Sequence, residues 1–309
     1  MISEFSAGHS LGEYSALVSS SILSFGDALR LVQERGRFME EAAMAKLGSM
    51  IAIRGAMLGE VEECCRLYST VDQPAAIACY NSPSQYVVSG HHTSVALAAG
   101  ELEQRGAQIT RLQVSGLFHS PLMQPAADRL AAELQKYTLN EPKWPVISNV
   151  IAQPYRDVDS IRQGLILQMT HPVRWIQTVQ YMMNHGVKQG IQLGPRTVLK
   201  NLTREISPNI EVLSLDRNWD RLELDRRFSI RDWIACSLSQ QCLPPTPIGI
   251  KMSIEKVLFY LCADWKIYCE TWNQAAVRFL LLSKDRKYWS VFALCCKPNR
   301  SPKESRKQC

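Results

Sequence analysis

The sequence predicts an α/β fold: a mostly parallel sheet with helices on both faces, interrupted by a second, smaller lobe. Three observations carry this. On both sides of residues 48–115, short apolar runs alternate with amphipathic stretches at helical spacing, the grammar of a sheet covered on two faces. Within 48–115 the order changes to β-α-β-β-α-β. Near the start, Gly8-His9-Ser10-Leu11-Gly12 forms a Gly-x-Ser-x-Gly pattern, which reads as a sharp strand-to-helix turn with an exposed serine.

The elements follow in order. Residues 2–7 are short and partly apolar, as a strand feeding that turn would be. The turn needs glycine where neighbours crowd a strained serine backbone. Ser10 then stands at a helix N-terminus, whose free N–H groups and positive dipole end suit a developing oxyanion. Residues 11–20 read as a helix, with Leu11, Tyr14, Leu17 and Val18 at helical spacing. Residues 25–45 read as a second, with Asp27 near its start and Leu29, Leu31, Val32, Phe38 and Met39 supplying an apolar face.

Residues 49–54 alternate like a strand and 58–68 read as a helix. Strands at 75–80 and 85–90 are joined through Asn81-Ser82-Pro83-Ser84. A helix at 93–105 has Thr93 as its cap and Gly106 as its stop, and a strand follows at 108–114. This order predicts a ferredoxin-like subdomain. A long helix at 121–137 leads back to alternation. Strands are expected at 146–150, 190–193 and 211–215, with helices at 158–169, 171–185 (opened by His171-Pro172) and 196–206.

The composition is that of a globular chain of 309 residues, with a formal net charge of +6. The average conceals a break. Through Asp220 the chain holds 19 Lys+Arg against 21 Asp+Glu, a net of −2; the other 16 and 8 give +8 to the rest. The positive charge therefore belongs to the end of the chain, and binding of nucleic acid is not expected. No run of eighteen apolar residues marks a membrane span, and no basic-then-apolar leader marks secretion. A cytoplasmic location with reduced thiols is the expectation. Seven of the ten cysteines fall after residue 220 with no Cys-x-x-Cys among them, so no metal site is expected.

The wider stretch Gly-His-Ser-Leu-Gly-Glu-Tyr-Ser-Ala-Leu, residues 8–17, resembles the active-serine segment of the malonyl-CoA:acyl carrier protein transacylases, the acyltransferase family of fatty acid and polyketide synthesis. The resemblance continues through Gln33-Glu34-Arg35-Gly36-Arg37-Phe38-Met39, Asn81-Ser82-Pro83, Gly116-Leu117-Phe118-His119-Ser120 and Gln192-Leu193-Gly194-Pro195, to about Asp216. It implies an α/β-hydrolase-like large subdomain, 1–47 and 116–219, with the ferredoxin-like lobe inserted at 48–115. It also implies an upstream strand and a Gly-Gln-Gly-type loop donating one oxyanion N–H. Nothing precedes Met1 to supply these, so the chain resembles an N-terminally truncated member. The stretch 220–309 shows no likeness to the family. It stays unassigned: either an extension with its own partner, or a misjoined reading without a native fold, and the apolar runs 254–272 and 275–283 have no clean period.

The resemblance also implies the chemistry. Ser10 is the nucleophile and His119 its base, since a neutral imidazole can take the serine proton and return one. His9, His91, His92, His171 and His185 are the rival histidines; His119 matches the family's position. Arg35 matches the arginine that grips the malonyl carboxylate, a pairing suited to a planar, always-charged guanidinium, with Arg37 as its neighbouring rival. The Leu11 N–H would hold the oxyanion. Phe118 would crowd a branched acyl group, and Asn81 falls among the substrate-binding matches. No acid stands in a clear motif to orient the histidine; the family uses a backbone carbonyl, here that of Gln168. The substrates implied are malonyl-CoA and the phosphopantetheine thiol of an acyl carrier protein, with no metal or bound cofactor and a monomeric chain. The alternatives are a serine esterase or thioesterase sharing the elbow, and an impaired fragment that only docks a carrier protein.

Overall fold

The computed structural model describes residues 4–45, 47–112, 117–194, 196–215 and the strand at 291–293. The first residues of the expected leading strand, the end of the strand at 113–114, Gly116 and Pro195 of two motifs, and the tail apart from 291–293 lie outside the described residues. The first half runs β1 (Ser6–Ala7), α1 (Gly12–Ser19), α2 (Phe25–Met44), β2 (Gly48–Arg54), α3 (Leu58–Tyr68), β3 (Ala75–Ser82), β4 (Gln85–His91), α4 (His92–Gln104) and β5 (Gln108–Arg111). The second runs α5 (Gln124–Leu134), β6 (Val146–Ile147), α6 (Val158–Gln168), α7 (Trp175–Asn184), β7 (Gln189–Leu193), α8 (Val198–Ile206), β8 (Glu211–Leu215) and β9 (Val291–Ala293).

The fold is α/β with mixed sheets. Among the described residues the largest sheet is the antiparallel one, in order β3-β4-β2-β5. Parallel pairing is confined to two places: β1 with β6, and β7 with β8, where β9 adds an antiparallel neighbour. The expectation of a mostly parallel sheet is thus met only in pairs. The reason is local. β1 leaves its sheet at the Gly8 turn. β6 leaves at Ser148, whose N–H and carbonyl close a loop with Gln153 and Ala152. The strand β9 lies inside the stretch for which the sequence suggests no packed element.

Three helix boundaries differ from expectation. The cap of α4 is His91, whose ring accepts from the Thr93 N–H at 3.3 Å, rather than Thr93 itself. The helix expected at 121–137 divides into a 3-10 turn, Pro121–Met123, and α5, because Pro125 has no N–H to carry an α-ladder through this point. The helix expected from His171 starts at Trp175. Residue 171 precedes a proline, which disfavours helical backbone, and Val173 is bound to β3 instead, through Val173 N to Ala78 O and Tyr80 N to Val173 O, both 2.9 Å.

Burial divides the interior into three clusters. One joins α1, α2, α5 and α6 around Tyr14, Leu17, Leu31 and Leu130. A second surrounds Trp175, with Ala7, Ile147, Val179 and Val212. The third fills the antiparallel lobe around Ile53, Val61, Val88 and Leu102. Phe118 packs against the first two, at their seam. Among the described residues, no helix is long and apolar enough to cross a membrane.

Candidate active site

The site starts from one close approach. A Cβ on Gly8 would lie 1.9 Å from the backbone carbonyl of Gly12, a distance no side chain tolerates. Glycine at position 8 therefore lets the start of α1 fold back over the end of β1. Ser10 sits at the tip with φ +53°, left-handed backbone that costs energy for a residue with a Cβ. Around it, the Ser10 N–H donates to Asn149 Oδ1 at 2.7 Å, Gly12 N–H to His9 O at 2.9 Å, and Glu13 N–H to Ser10 O at 3.1 Å. None of these described backbone bonds uses the Leu11 N–H, which follows the serine directly.

His119 arrives from a different part of the chain, in the loop leading to Pro121. Its backbone is also left-handed, φ +60°. Its Nδ1 lies 2.7 Å from Gln168 O, at the end of α6, and a carbonyl can only accept. The proton therefore sits on Nδ1, and Nε2 presents its lone pair to Ser10 Oγ at 2.8 Å. His119 is 4% exposed. Burial first, and then the Arg35 charge, press its pKa down to about 3, so the ring is neutral at pH 7.

Arg35 projects from α2 and is also buried, at 4% exposure, with its guanidinium carbon 5.5 Å from the Tyr14 ring centroid. Its Nη2 donates to Gln168 Oε1 at 3.0 Å and lies 3.4 Å from Ser10 Oγ. The rival Arg37 is half-exposed on the same helix and paired with Glu34 and Glu41. Two residues apart on a helix means about 200° of rotation, so only one of the two can face the serine.

The structure thus brings Ser10, His119, Arg35 and Gln168 together. The other expected residues stand further back. Leu11 packs its side chain on the first core cluster. Phe118 is half-buried beside His119. Asn81, on β3, reaches the elbow only through His9, whose Nε2 lies 2.8 Å from Asn81 Oδ1. Of the rival histidines, His9 is spent on Asn81, His171 on Leu167 O and His185 on Tyr181 O. His91 and His92 belong to the start of α4.

Two further residues are built into the site that sequence patterns alone do not single out. Asn149, fully buried, accepts from Ser10 N–H and donates Nδ2 to Gly8 O at 2.6 Å, which ties both ends of the turn. The register explains its place: Ser6 pairs with Val146 and Ala7 with Ile147, so two residues on, the elbow faces Asn149. A polar residue just past the carboxyl end of a strand beside the elbow strand is the available signal. Glu13, also fully buried, accepts from Tyr155 Oη at 2.6 Å, from the Asn149 N–H at 3.0 Å and from Gln168 Nε2. Its signal is an acid three residues after the serine, one helical turn behind it.

The chain also has relatives among known proteins. Residues 4–214 match the family model described as acyl transferase domain. A malonyl CoA-acyl carrier protein transacylase from Bacillus subtilis is 41% identical over 216 residues, 70% of this chain and 54% of the relative. The chain thus spans about half the length of that relative. The solved structure of the malonyl CoA-acyl carrier protein transacylase from Coxiella burnetii is 40% identical with a TM-score of 0.66, covering 69% of this chain and 67% of that one. A malonyl-transacylase in complex with its type II PKS acyl-carrier protein is 36% identical with a TM-score of 0.67, covering 69% of each chain.

Proposed function

Because the chain belongs to the acyl transferase domain family and is related within it to the malonyl CoA-acyl carrier protein transacylases, we propose that it moves a malonyl group from malonyl-CoA to the phosphopantetheine thiol of an acyl carrier protein. The observation that carries this reading is the convergence of Ser10 Oγ on His119 Nε2 at 2.8 Å and on the buried Arg35 at 3.4 Å. A nucleophile with a neutral base is common to many hydrolases. A buried cation beside it suits an acyl donor that carries its own carboxylate, and an esterase of neutral acyl groups has no use for one.

The steps follow from the geometry. His119 Nε2 takes the Ser10 proton as Oγ attacks the thioester carbon. The Leu11 N–H faces the oxyanion of the tetrahedral intermediate, which collapses as the C–S bond breaks. The proton on Nε2 passes to the departing coenzyme A sulfur. A malonyl-serine ester remains, its free carboxylate paired with Arg35. The carrier thiol then gives its proton to His119, attacks the ester and takes the malonyl group, and Ser10 recovers a proton from Nε2. The cycle is ping-pong and calls on no metal or redox cofactor.

Finer assignments belong to the same reading. The strand order of the antiparallel lobe supports a ferredoxin-like subdomain at 48–115, inserted into an α/β-hydrolase-like subdomain of 1–47 and 116–219 that carries the elbow, with 220–309 unassigned. Phe118 beside the base limits branching of the acyl group, and Asn81 acts at the mouth through His9. The chain works as a monomer in the cytoplasm. The test is transfer itself: radiolabelled malonyl-CoA, holo acyl carrier protein and the chain, with Ser10→Ala as control. Label on the carrier that depends on Ser10 supports the reading. Transfer that survives Ser10→Ala overturns it.

A further inference from the structure

Gln168 turns its backbone carbonyl and both ends of its side-chain amide toward the site, and something must decide which way that amide faces. The backbone carbonyl receives His119 Nδ1–H at 2.7 Å. Oε1 receives Arg35 Nη2 at 3.0 Å, while Nε2 donates to Ser10 O at 3.0 Å and to Glu13 Oε2. A flipped amide would aim N–H at Arg35, donor against donor. What forbids the flip is an acceptor with no proton of its own on the opposite side. Two such acceptors hold Nε2 there, the Ser10 carbonyl and the Glu13 carboxylate, and of the two only Glu13 can gain a proton.

We propose that Glu13 is a positioning residue for the serine–histidine pair and for Arg35, acting through the side chain of Gln168. The inference rests on the reading of Ser10 and His119 given above. Glu13 is itself fixed: Oε1 accepts from Tyr155 and from the Asn149 N–H, which leaves Oε2 for Gln168. A fully buried anion needs compensation, and it has three hydrogen bonds, the N-terminal turn of α1, and Arg35 across the Gln168 amide. Glu13 is the counter-charge of Arg35 at one residue's remove. It is also the acid that the histidine lacks in direct contact.

A pH dependence follows. Both donors to Oε1 stay in place, so an added proton goes to Oε2, where it meets the Gln168 N–H donor against donor. Protonation therefore releases the amide from Arg35 and loosens the residue that holds His119. Burial raises the Glu13 carboxyl to about 7. The groups facing it do not titrate there. On α1, burial lifts Tyr14 to about 12; in the loop after β6 it lifts Tyr155 well above the ordinary tyrosine value; Arg35, on α2, stays cationic. Behind Gln168, burial holds His119 down to about 3 and lowers His9 as well. A loss of Ser10 reactivity centred near pH 7 would therefore belong to Glu13 and not to His119.

The test uses the full chain and a fluorophosphonate probe, which Ser10 attacks at phosphorus with loss of fluoride as His119 takes the proton. It reads the pair without any acyl donor. Wild type should lose reactivity as the pH falls through about 7. Glu13→Gln keeps the acceptor for Tyr155 and Asn149 but presents N–H to Gln168 at every pH. It should be slower by about tenfold or more at pH 8, the effect of losing one charged hydrogen bond, and should show no step near 7. Gln168→Met keeps the carbonyl on His119 and removes the amide; it should reproduce the Glu13→Gln rate, and the two losses should not multiply when combined. The proposal is overturned if Glu13→Gln retains the wild-type rate and step, or if the two losses multiply. Should Glu13→Gln fail to fold, a Gln168→Met variant as reactive as wild type overturns it alone. A chain that follows this pattern yet accepts no malonyl group contradicts the assigned acyl donor while supporting the positioning role.

Discussion

Ser10 and His119 both adopt left-handed backbone, with φ of +53° and +60°, and face each other at 2.8 Å between Oγ and Nε2. Strain at both ends of one hydrogen bond implies that the surroundings hold each residue where it is. For Ser10 the restraints are Asn149 and the close approach of Gly8 to Gly12. For His119 the restraint is the carbonyl of Gln168.

The Gly8 approach gives the plainest prediction. Gly8→Ala places a Cβ 1.9 Å from the Gly12 carbonyl, so the elbow must open. The expected cost is at least about 1–3 kcal/mol, as for other overpacked sites. A clear fall in melting temperature with loss of Ser10 labelling checks this. Retention of both would mean that the start of α1 moves aside freely.

A second prediction separates the histidines. His119→Ala should slow acyl-serine formation about 10²–10⁴-fold, the usual yield of general base assistance. His9→Ala should cost less, because His9 Nε2 is already spent on Asn81 at 2.8 Å. Single-turnover acylation of both variants decides it, and a larger loss for His9→Ala would reverse the assignment.

Much of this was legible in the chain, and the limits have a physical cause. Local periodicity places α2, α3 and α6 within a residue or two, because helix formation depends on neighbours three and four apart. Gly-x-Ser-x-Gly marks the elbow for the same reason: its strain is local. Arg35 and Arg37 are not separable by pattern, since both lie on one helix, and only packing shows that Arg35 is buried and Arg37 solvated. Asn149 and Glu13 meet across 136 residues. No local signal encodes that meeting; it comes from the parallel register of β1 and β6. The start of α7 was misplaced because Val173 is claimed by β3, nearly a hundred residues earlier.

A third prediction concerns stability against pH. Glu13 binds its proton more tightly in the folded chain, about 7 against an ordinary 4.5. The stabilisation this brings is complete below about 4.5 and is lost as pH rises through about 7. Glu13→Gln lacks that loss. The melting temperature of the variant minus that of wild type should therefore increase from pH 5 to pH 8, and the His119 contribution cancels because both chains carry it. A difference that is flat or falls with pH would contradict a buried, titrating Glu13. On this account the ionised form is the one that favours reactivity and costs stability.

A fourth prediction addresses substrate choice. Arg35→Ala removes the one buried guanidinium beside Ser10 among the described residues. The loss for malonyl should be about 10–150-fold, the range for hydrogen bonds to charged groups, with a smaller loss for acetyl. Initial rates of acyl-serine formation from the two thioesters test this. An unchanged malonyl-to-acetyl ratio would remove Arg35 from carboxylate recognition.

The central claim is that Ser10, activated by His119, carries the malonyl group. The most direct measurement is the mass of the intact chain after brief exposure to malonyl-CoA, beside Ser10→Ala treated alike. The account predicts a single malonyl adduct on the wild-type chain, mapped to the peptide containing Ser10, and none on Ser10→Ala. An unmodified wild-type chain, or an adduct that persists in Ser10→Ala, would contradict it.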